Sequence, residues 1–327
     1  MISASAPGKI ILLGEHAVVY GHPALAIPVL QVGVTVSIEV DSTRPTIPIH
    51  PTNVDRKWME SIQVDAADIG RKGNLASYPS WRLPDPITDL IQKVFSFLGI
   101  TATPPLSIRI ESSIPVASGL GSGAAVSVAL IRALAASFYQ TISNEQVSQL
   151  AFEIEKHYHG TPSGIDNTVI TYSQPVFFVK DQPIQTFKVG KPFTLVIADS
   201  GIRAATRESV GDVRKQWLAD PERVERIFAS IADIVHQAHD CIQDGQVELL
   251  GKLMNQNQTL LQKLNVSSPE LDLLIEVARR TGALGAKLSG GGRGGNLIAL
   301  VTSEDASRVE RDLLLAGAIR TIVTQVT

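Results

Sequence analysis

The stretch that decides the fold is Pro115-Val-Ala-Ser-Gly-Leu-Gly-Ser-Gly-Ala124, which runs directly into the helical pattern Ala125-Val-Ser-Val-Ala-Leu-Ile-Arg-Ala-Leu-Ala-Ala-Ser-Phe138. Upstream, Leu106-Ser-Ile-Arg-Ile-Glu111 alternates apolar and polar residues as a strand does. A glycine-rich loop at a helix N-terminus offers N–H groups, partial positive charge and close backbone approach to a phosphate. The segment therefore predicts a strand, an anion-binding turn and a helix, although many such turns bind no ligand.

Other phosphate and nucleophile motifs do not fit this stretch. The P-loop pattern Gly-x-x-x-x-Gly-Lys-Ser/Thr is absent from the sequence. The spacing of Gly119, Gly121 and Gly123 differs from the Gly-x-Gly-x-x-Gly of dinucleotide-binding folds. Ser122 has no glycine two residues later, so it does not form the nucleophile elbow of hydrolases.

Another motif comes earlier in the chain, in Ala6-Pro-Gly-Lys-Ile-Ile-Leu-Leu-Gly-Glu-His-Ala-Val-Val-Tyr-Gly21, so it is the first motif in chain order and the glycine-rich loop is the second. An apolar strand, Ile10 to Leu13, has Lys9 at one end and the pair Glu15-His16 just beyond the other. Taken alone, these polar residues are as consistent with a solvated strand end and an ordinary loop histidine as with a binding site.

A third motif is Ala286-Lys-Leu-Ser-Gly-Gly-Gly-Arg-Gly-Gly-Asn-Leu-Ile-Ala-Leu-Val301. Five glycines separate Ser289 from a strand pattern. A flexible linker seldom leads directly into a buried strand, so a backbone that closely surrounds a ligand is the better interpretation.

In chain order, the three motifs resemble those of the GHMP kinase superfamily. The N-terminal motif, Ala6 to Gly21, resembles the mevalonate kinase family in particular. The resemblance rests on Pro7-Gly-Lys9, on Gly14-Glu-His-Ala-Val-Val-Tyr-Gly21 and on the aspartate-bearing loop His159-Gly-Thr-Pro-Ser-Gly-Ile-Asp-Asn167, and it extends from Ala6 to about Val301. Two positions depart from the family pattern. Gly123 replaces a second serine in the phosphate loop, and Arg293 interrupts the glycine run of the third motif.

The resemblance implies a two-domain α+β fold. Residues 1–190 are expected to form a nucleotide-binding and catalytic domain that resembles domain 2 of ribosomal protein S5. Residues 191–327 are expected to form a ferredoxin-like domain on the substrate side. The boundary falls near Gly190-Lys-Pro192, just before the strand pattern Phe193 to Ala198.

The resemblance also implies ATP- and Mg²⁺-dependent phosphorylation of the 5-hydroxyl of mevalonate, giving 5-phosphomevalonate for isoprenoid precursor synthesis. The implied catalytic residues are Asp166 and Lys9, and the implied metal ligands are Ser122 and Glu155. The implied acceptor contacts are Glu15, His16, Thr206, Ser289, Gly290 and Gly291. The implied ATP-binding residues are Pro115, Ala117, Ser118, Gly119, Leu120, Gly121, Ser122, Gly123 and Ala124.

The residue types suit this reaction. Phosphoryl transfer requires charge neutralisation, in-line positioning and activation of the acceptor hydroxyl. Asp166 is a candidate base, and Lys9 is a cation that favours an ionised neighbour. Whether Asp166 removes the proton or orients the hydroxyl stays open at this point. It also stays open whether Arg293 approaches a phosphate or substrate carboxylate or points to solvent. We expect local positive potential near Lys9, Arg203, Arg207, Lys287 and Arg293 to attract an anionic substrate.

Composition excludes several classes of protein. The chain has 327 residues, 44% apolar and 19% charged, with a net charge of −3, which is typical of a globular protein and not of a nucleic-acid binder. A single cysteine, Cys241, excludes an intrachain disulfide and favours a reducing cytoplasm, where we expect it to pack in a core. The N-terminus lacks a signal-peptide pattern. We expect mevalonate and ATP as partners, with no nucleic acid and no membrane, and a homodimer is compatible with the sequence.

Local patterns predict further elements. Asp85 to Gly99 reads as a helix, and Ser143-Asn-Glu-Gln146 forms a capping box for the helix that leads to Glu155. Residues 41–82 are polar and read as irregular.

Three alternatives stay open. Another superfamily member would phosphorylate phosphomevalonate, the 3-hydroxyl of mevalonate or a sugar, and would differ on the acceptor side. A nucleotide-binding regulator of the same fold would bind ATP without turnover, but the joint presence of Lys9, Glu155 and Asp166 disfavours it. A hydride-transfer enzyme fits least well, and absence of NAD(P) binding would remove it.

Overall fold

The computed structural model describes residues 1–49, 57–66, 71–77, 86–115, 118–159, 162–203 and 206–327. The chain divides into two compact units. Unit 1 comprises Met1–Gly8, Val32–Val116 and Gly121–Ser173, and unit 2 comprises Lys9–Gln31, Ala117–Leu120 and Gln174–Thr327. The units are thus discontinuous in sequence, and the boundary predicted after residue 190 falls inside unit 2.

Strands β1 (Ile2–Leu13) and β2 (Ala24–Val40) pair with each other, and each supplies residues to both units. β1 extends the strand predicted for Ile10 to Leu13 toward the N-terminus. The division of both strands explains why the motif Ala6 to Gly21 contributes mainly to unit 2, although it lies at the start of the chain.

Unit 1 combines the second half of β2 with strands and helices that follow it. These are β3 (Ile47–Pro48), α1 (Lys57–Glu60), β4 (Ile62–Ala66), β5 (Arg71–Asn74), α2 (Pro86–Phe97), β6 (Ala102–Thr103), β7 (Leu106–Ser112), α3 (Ser122–Ser137), α4 (Asn144–His159) and α5 (Ile165–Tyr172). β7 pairs antiparallel with residues 34–40 of β2 and parallel with β4, and β4 pairs antiparallel with β5.

The irregular structure predicted for residues 41–82 is confirmed for residues 41–46 and is wrong where the chain forms β3, α1, β4 and β5. β4 buries Ile62, Val64 and Ala66 and exposes the alternate residues, so it has the pattern of a half-buried strand. Trp58 in α1 is fully buried and packs near Phe95 of α2. The alternation in Ile62-Gln-Val-Asp-Ala66 is itself a strand signal, and it was missed because polar and proline-containing residues dominate the range around it.

α3 is the central helix of unit 1. It is buried along most of its length, and α2, α4 and α5 pack against it. The capping box of α4 is confirmed: Ser143 N–H donates to Gln146 Oε1 (2.9 Å), and Gln146 N–H donates to Ser143 Oγ (3.2 Å). The predicted α2 is also confirmed, whereas its proposed cap Asp85 lies outside the described residues.

Unit 2 contains the first part of β2 together with β8 (Val176–Phe178), β9 (Gln185–Thr186), β10 (Phe193–Asp199), α6 (Thr206–Ala219), α7 (Pro221–Asp244), α8 (Val247–Lys263), α9 (Pro269–Arg280), β11 (Gly285–Ser289), β12 (Asn296–Val301), α10 (Ala306–Leu315) and β13 (Arg320–Val326). Four of these strands form an antiparallel sheet in the order β11-β12-β10-β13. A strand, helices, two strands, a helix and a strand in this order give the ferredoxin-like arrangement that the sequence predicts.

Helix caps in unit 2 follow the sequence signals. The Asp220 side chain accepts a hydrogen bond from Arg223 N–H at the start of α7, and the Ser268 side chain accepts one from Leu271 N–H at the start of α9. Cys241 is buried in α7, as predicted, and burial raises the pKa of its thiol. In the described part of the chain, no helix has the length and apolarity needed to cross a membrane.

Candidate active site

The phosphate-loop motif has the backbone geometry that its glycines predict. Gly119 and Gly121 adopt positive φ angles of 74° and 78°, and Gly121 directly precedes α3. Ser122 is the first residue of the helix, Gly123 is exposed and Ala124 is buried. The free N–H groups of a helix N-terminus therefore lie at this loop, where an anion is favoured.

The first half of the loop, which belongs to unit 2, is anchored by two hydrogen bonds. The main-chain N–H of Lys9 donates to Leu120 O (2.9 Å), and the Asn296 side-chain amide donates to Ser118 O. These bonds join the first half of the glycine-rich loop to Lys9 of the N-terminal motif and to β12, the strand that follows the third motif. Of the other residues predicted here, Pro115 follows β7, and Ala117 lies outside the described residues.

The residues proposed to hold Mg²⁺ both belong to unit 1. A Cβ built on Gly123 would lie 3.4 Å from Oε1 of Glu155, so the α4 carboxylate faces the first turn of α3, where Ser122 begins the helix. A carboxylate and a hydroxyl are oxygen donors of the kind that Mg²⁺ prefers, with nucleotide phosphates completing its shell. The two residues therefore fit the metal. The described residues contain no group of three or more His, Cys, Asp or Glu side chains arranged for a metal.

Asp166 lies in the first turn of α5, after Gly164, whose φ of 90° reverses the chain. Its neighbours fix this turn. The Asn167 amide donates to the carbonyl oxygen (3.1 Å) and hydroxyl (2.8 Å) of Ser148 in α4. Thr168 Oγ1 donates to Gly164 O (2.7 Å). The Asp166 carboxylate is therefore presented from a rigid helix start, which suits a group that must meet a substrate in one geometry.

Glu15 has a partner set that the sequence did not indicate. It is 1% exposed, and its Oε1 accepts from the Lys287 ammonium, which is itself fully buried. The Asn257 amide donates to the other carboxylate oxygen (3.4 Å). Burial lowers the pKa of Lys287, and the Glu15 carboxylate opposes that effect. Lys287 therefore contributes to a buried ion pair and not to a surface potential.

His16 follows Glu15 with a φ of 63°, a conformation that residues other than glycine seldom adopt. Its Nε2 is 3.1 Å from Gly291 O, so this nitrogen carries the proton that is donated to the carbonyl. Desolvation lowers the pKa of His16 to about 4, so the ring is neutral at pH 7 and Nδ1 keeps a lone pair. Among the described residues, no hydrogen-bond partner reaches Nδ1 of His16 or Oδ1 of Asn257.

The third motif forms a tight loop between β11 and β12. Gly290, Gly292, Gly294 and Gly295 all have positive φ. A Cβ on Gly292 would overlap Val266 O, which explains the glycine there. Ser289 donates its hydroxyl proton to Ile11 O (2.7 Å). The loop is therefore ordered by neighbours on several sides and does not behave as a linker.

Two of the predicted site residues, Arg293 and Thr206, are not placed in an anion or acceptor site by the described structure. Arg293 points neither to solvent nor to an open anion site, because its guanidinium pairs with Asp212 of α6 at 2.6 Å. Thr206 begins α6, and its side chain is outside what the structure describes. Sequence reasoning missed Lys287, Asn257, Asn296 and Asp212 as partners. No local signal identifies them, since Lys287 and Asn257 are 272 and 242 residues from Glu15.

Comparison with known proteins agrees with this geometry. The family described as GHMP kinases N terminal domain matches residues 87–174, and that described as GHMP kinases C terminal matches residues 238–318. The fold and site thus define a GHMP kinase, and the predicted two-domain α+β class is confirmed.

Full-length relatives narrow the assignment. The chain is 34% identical to the mevalonate kinase of Thermococcus onnurineus, over 97% of this chain and 93% of that protein. It is similar to the crystal structure of L. major mevalonate kinase in complex with R-mevalonate (TM-score 0.81, 29% identity, 99% and 95% of the two chains covered). It is also similar to the Methanococcus jannaschii mevalonate kinase (TM-score 0.80, 26% identity, 99% and 96% covered). The chain belongs to the mevalonate kinase family.

Proposed function

We propose that this protein transfers the γ-phosphoryl group of ATP to the 5-hydroxyl of mevalonate, giving 5-phosphomevalonate in the mevalonate pathway. The observation that carries the proposal is the turn at Glu15 and His16. It presents a neutral, buried imidazole with an unpaired acceptor nitrogen beside the glycine loop. An unpaired buried acceptor is costly, and a hydroxyl-bearing substrate would satisfy this nitrogen after a local shift of the turn, since the nitrogen itself is sealed from solvent.

On the nucleotide side, we assign the ATP phosphates to the turn from Ser118 to Ala124. Its positive-φ glycines allow close approach, and the start of α3 supplies N–H groups. Mg²⁺ held by the Ser122 hydroxyl and the Glu155 carboxylate would neutralise charge on those phosphates. The Glu155 carboxylate near Gly123 supports this assignment.

For the chemical step, we assign Asp166 to accept a hydrogen bond from the acceptor hydroxyl and to receive its proton as the phosphoryl group transfers. The helix start that fixes Asp166 supports this role. We assign Lys9 to neutralise charge that develops on the acceptor oxygen, because a cation favours the ionised form of a nearby oxygen. The main chain of Lys9 is fixed by its bond to Leu120.

On the acceptor side, we assign His16, Thr206 and the backbone of Gly290 and Gly291 to contact mevalonate. Glu15 has both carboxylate oxygens engaged by buried partners. We therefore propose that Glu15 holds the turn that carries His16 and does not bind the acceptor itself. Ser289 similarly uses its hydroxyl on Ile11 O and would act through the loop backbone.

We further propose that residues 1–190 carry nucleotide binding and catalysis and that residues 191–327 carry most of the substrate side, to which Glu15 and His16 contribute from the first motif. The free, buried thiol of Cys241 supports a cytoplasmic enzyme, since it needs no oxidising compartment. Light scattering of the purified protein would decide whether it is a homodimer.

The test is ADP release with MgATP against mevalonate, 5-phosphomevalonate, galactose and homoserine, with the product position read by phosphorus NMR. We expect turnover on mevalonate and a 5-phosphate product. Turnover on a different acceptor, or a 3-phosphate product, would contradict the proposed acceptor specificity. ATP binding without turnover of any acceptor would favour a regulator of the same fold.

A further inference from the structure

Arg293 has a backbone conformation that is unfavourable for a residue other than glycine, so other contacts must stabilise it. It lies in the loop of residues 290–295, in which all residues except Arg293 are glycines, and its φ is 60°. The left-handed conformation is unfavourable for a residue with a Cβ relative to glycine. An arginine long enough to reach distant partners can offset this cost through side-chain contacts.

Those contacts are present on two elements. Arg293 Nη1 donates to Asp212 Oδ2 (2.6 Å) on α6. Its Nε and Nη2 donate to Asn265 O (3.3 and 3.2 Å), just after α8. The main-chain N–H of Arg293 also donates to Val266 O (2.8 Å). The side chain is 32% exposed and Asp212 is 35% exposed, so solvent screens the pair only in part.

The opposite side of the loop contacts the acceptor-side segments. Gly291 O accepts the hydrogen bond from His16 Nε2. Gly295 N–H donates to Ile202 O (2.9 Å), and Ser200 N–H donates to Gly295 O (2.9 Å). Any displacement of the loop would therefore shift the carbonyl that keeps the His16 proton on Nε2 and leaves Nδ1 free to accept.

We propose that Arg293 is a positioning residue. Its ion pair with Asp212 holds the glycine loop against α6, so that Gly291 fixes the tautomer of His16 and thereby sets the affinity for the acceptor. The inference rests on the proposed function, in which His16 contacts mevalonate. Because the two hydrogen bonds from Lys215 and Arg293 lower the pKa of Asp212 to about 2, the carboxylate stays ionised at the pH of a kinase assay.

The kinetic test compares Arg293→Gly, Arg293→Lys and Asp212→Asn with a matched control, Lys215→Ala. Lys215 donates to the other oxygen of the same carboxylate (2.8 Å), and in the described part of the chain no hydrogen bond joins its ammonium to the loop. We expect Arg293→Gly and Asp212→Asn each to raise KM for mevalonate about fivefold to tenfold with kcat changed by less than about twofold, as when binding alone is lost. Arg293→Lys should recover part of the affinity, and Lys215→Ala should match the wild type.

The double variant Arg293→Gly/Asp212→Asn separates a coupled pair from two independent effects. If the residues act together, it should raise KM no more than either single change. Multiplied effects would contradict the coupling. Equal KM values in wild type and Arg293→Gly would overturn the role in acceptor affinity.

Hydrogen exchange provides a readout that does not depend on turnover. We expect the amides of residue 293, bonded to Val266, and Gly295, bonded to Ile202, to exchange at least about tenfold faster in Arg293→Gly and Asp212→Asn, and normally in Lys215→Ala. Unchanged protection would overturn the positioning role whatever the enzyme phosphorylates. Lost protection in these two variants, together with a wild-type protein that phosphorylates no acceptor, would instead locate the failure in the proposed function.

Discussion

At the scale of single residues, the decisive feature is how charge is distributed around His16. Glu15 and Lys287 neutralise each other in the interior, so the adjacent imidazole is not drawn into an ion pair. Burial then keeps that imidazole neutral, and the Gly291 carbonyl selects its tautomer. A neutral ring with a free lone pair is the form that accepts a hydrogen bond from a hydroxyl.

The low pKa of His16 makes the stability of the fold depend on pH. As pH falls through 6.5 the unfolded histidine takes up a proton, whereas the folded one stays neutral down to about 4. Its contribution is therefore intact above pH 6.5 and is lost between about 6.5 and 4, by about 3 kcal/mol in total. Urea unfolding at pH 7 and pH 4.5 should show a larger acid loss in wild type than in His16→Asn. Equal losses would contradict the low pKa.

The buried pair should show strong coupling between its members. Lys287→Met leaves the Glu15 carboxylate buried without a counter-charge, which costs about 3–5 kcal/mol. Glu15→Gln/Lys287→Met removes both charges and should recover most of that loss. Denaturant unfolding of the two single variants and the double variant measures the coupling. A double variant as unstable as the sum of the singles would show that the pair is not a unit.

Asp166 should be required for turnover and not for folding. Asp166→Asn removes the proposed proton acceptor, so kcat should fall by about 10²–10⁴-fold. The neighbouring Asn167→Ala is the matched contrast. It removes two buried hydrogen bonds to Ser148 and should lower stability by about 1–3 kcal/mol. Near-normal kcat in Asp166→Asn would remove this residue from the mechanism.

At the scale of elements, the glycine loop between β11 and β12 is shaped by what surrounds it. Its positive φ angles are favoured by glycine under two different constraints. At Gly292 the neighbouring Val266 carbonyl leaves no room for a Cβ, whereas at Gly290 no atom lies within 4 Å of that position. The first glycine is needed for space and for backbone angle, and the second for backbone angle alone.

Alanine substitutions should separate these two constraints. Gly290→Ala, with a φ of 89° and open space, should cost roughly 1–2 kcal/mol of unfolding free energy. Gly292→Ala adds overlap with Val266 O and should cost more, about 3 kcal/mol or above. Urea titrations of both variants give the comparison. Equal losses would indicate that the loop moves aside freely and is not held by the α8–α9 connection.

At the scale of the whole molecule, the chain folds into two units that each take residues from β1 and β2. The first motif, Ala6 to Gly21, is therefore divided between the two units. Gly8 and the residues before it belong to unit 1, whereas Lys9, Glu15 and His16 belong to unit 2. Binding to the folded chain and not to the unfolded chain must raise the stability of the unit that holds the ligand.

Ligand binding should appear as thermal stabilisation. Mevalonate at about 100 times its Kd should stabilise the folded chain by about 2.7 kcal/mol, whereas galactose should have no effect. Thermal unfolding with each ligand measures this difference. His16→Asn should abolish most of the mevalonate shift and keep the shift caused by MgATP. Equal mevalonate shifts in wild type and variant would exclude His16 from acceptor binding.

The sequence by itself determined the family, the α+β class, the main helices and the candidate reactive residues. These features depend on local signals: glycine spacing, capping residues and an apolar period are carried by residues close together in the chain. They were sufficient to identify α3, the capping box of α4 and the two glycine-rich loops.

Only the tertiary structure decided how the charged residues are paired. Lys287 and Arg293 read as cations available to a substrate, but one is buried on Glu15 and the other is bound to Asp212. The discontinuous units and the pairing of β4 with β5 and β7 were likewise not predictable. The physical reason is that an ion pair, a strand register or a buried imidazole depends on residues that folding brings together from distant parts of the chain. The residues next to each partner in sequence do not indicate which distant residue it will meet.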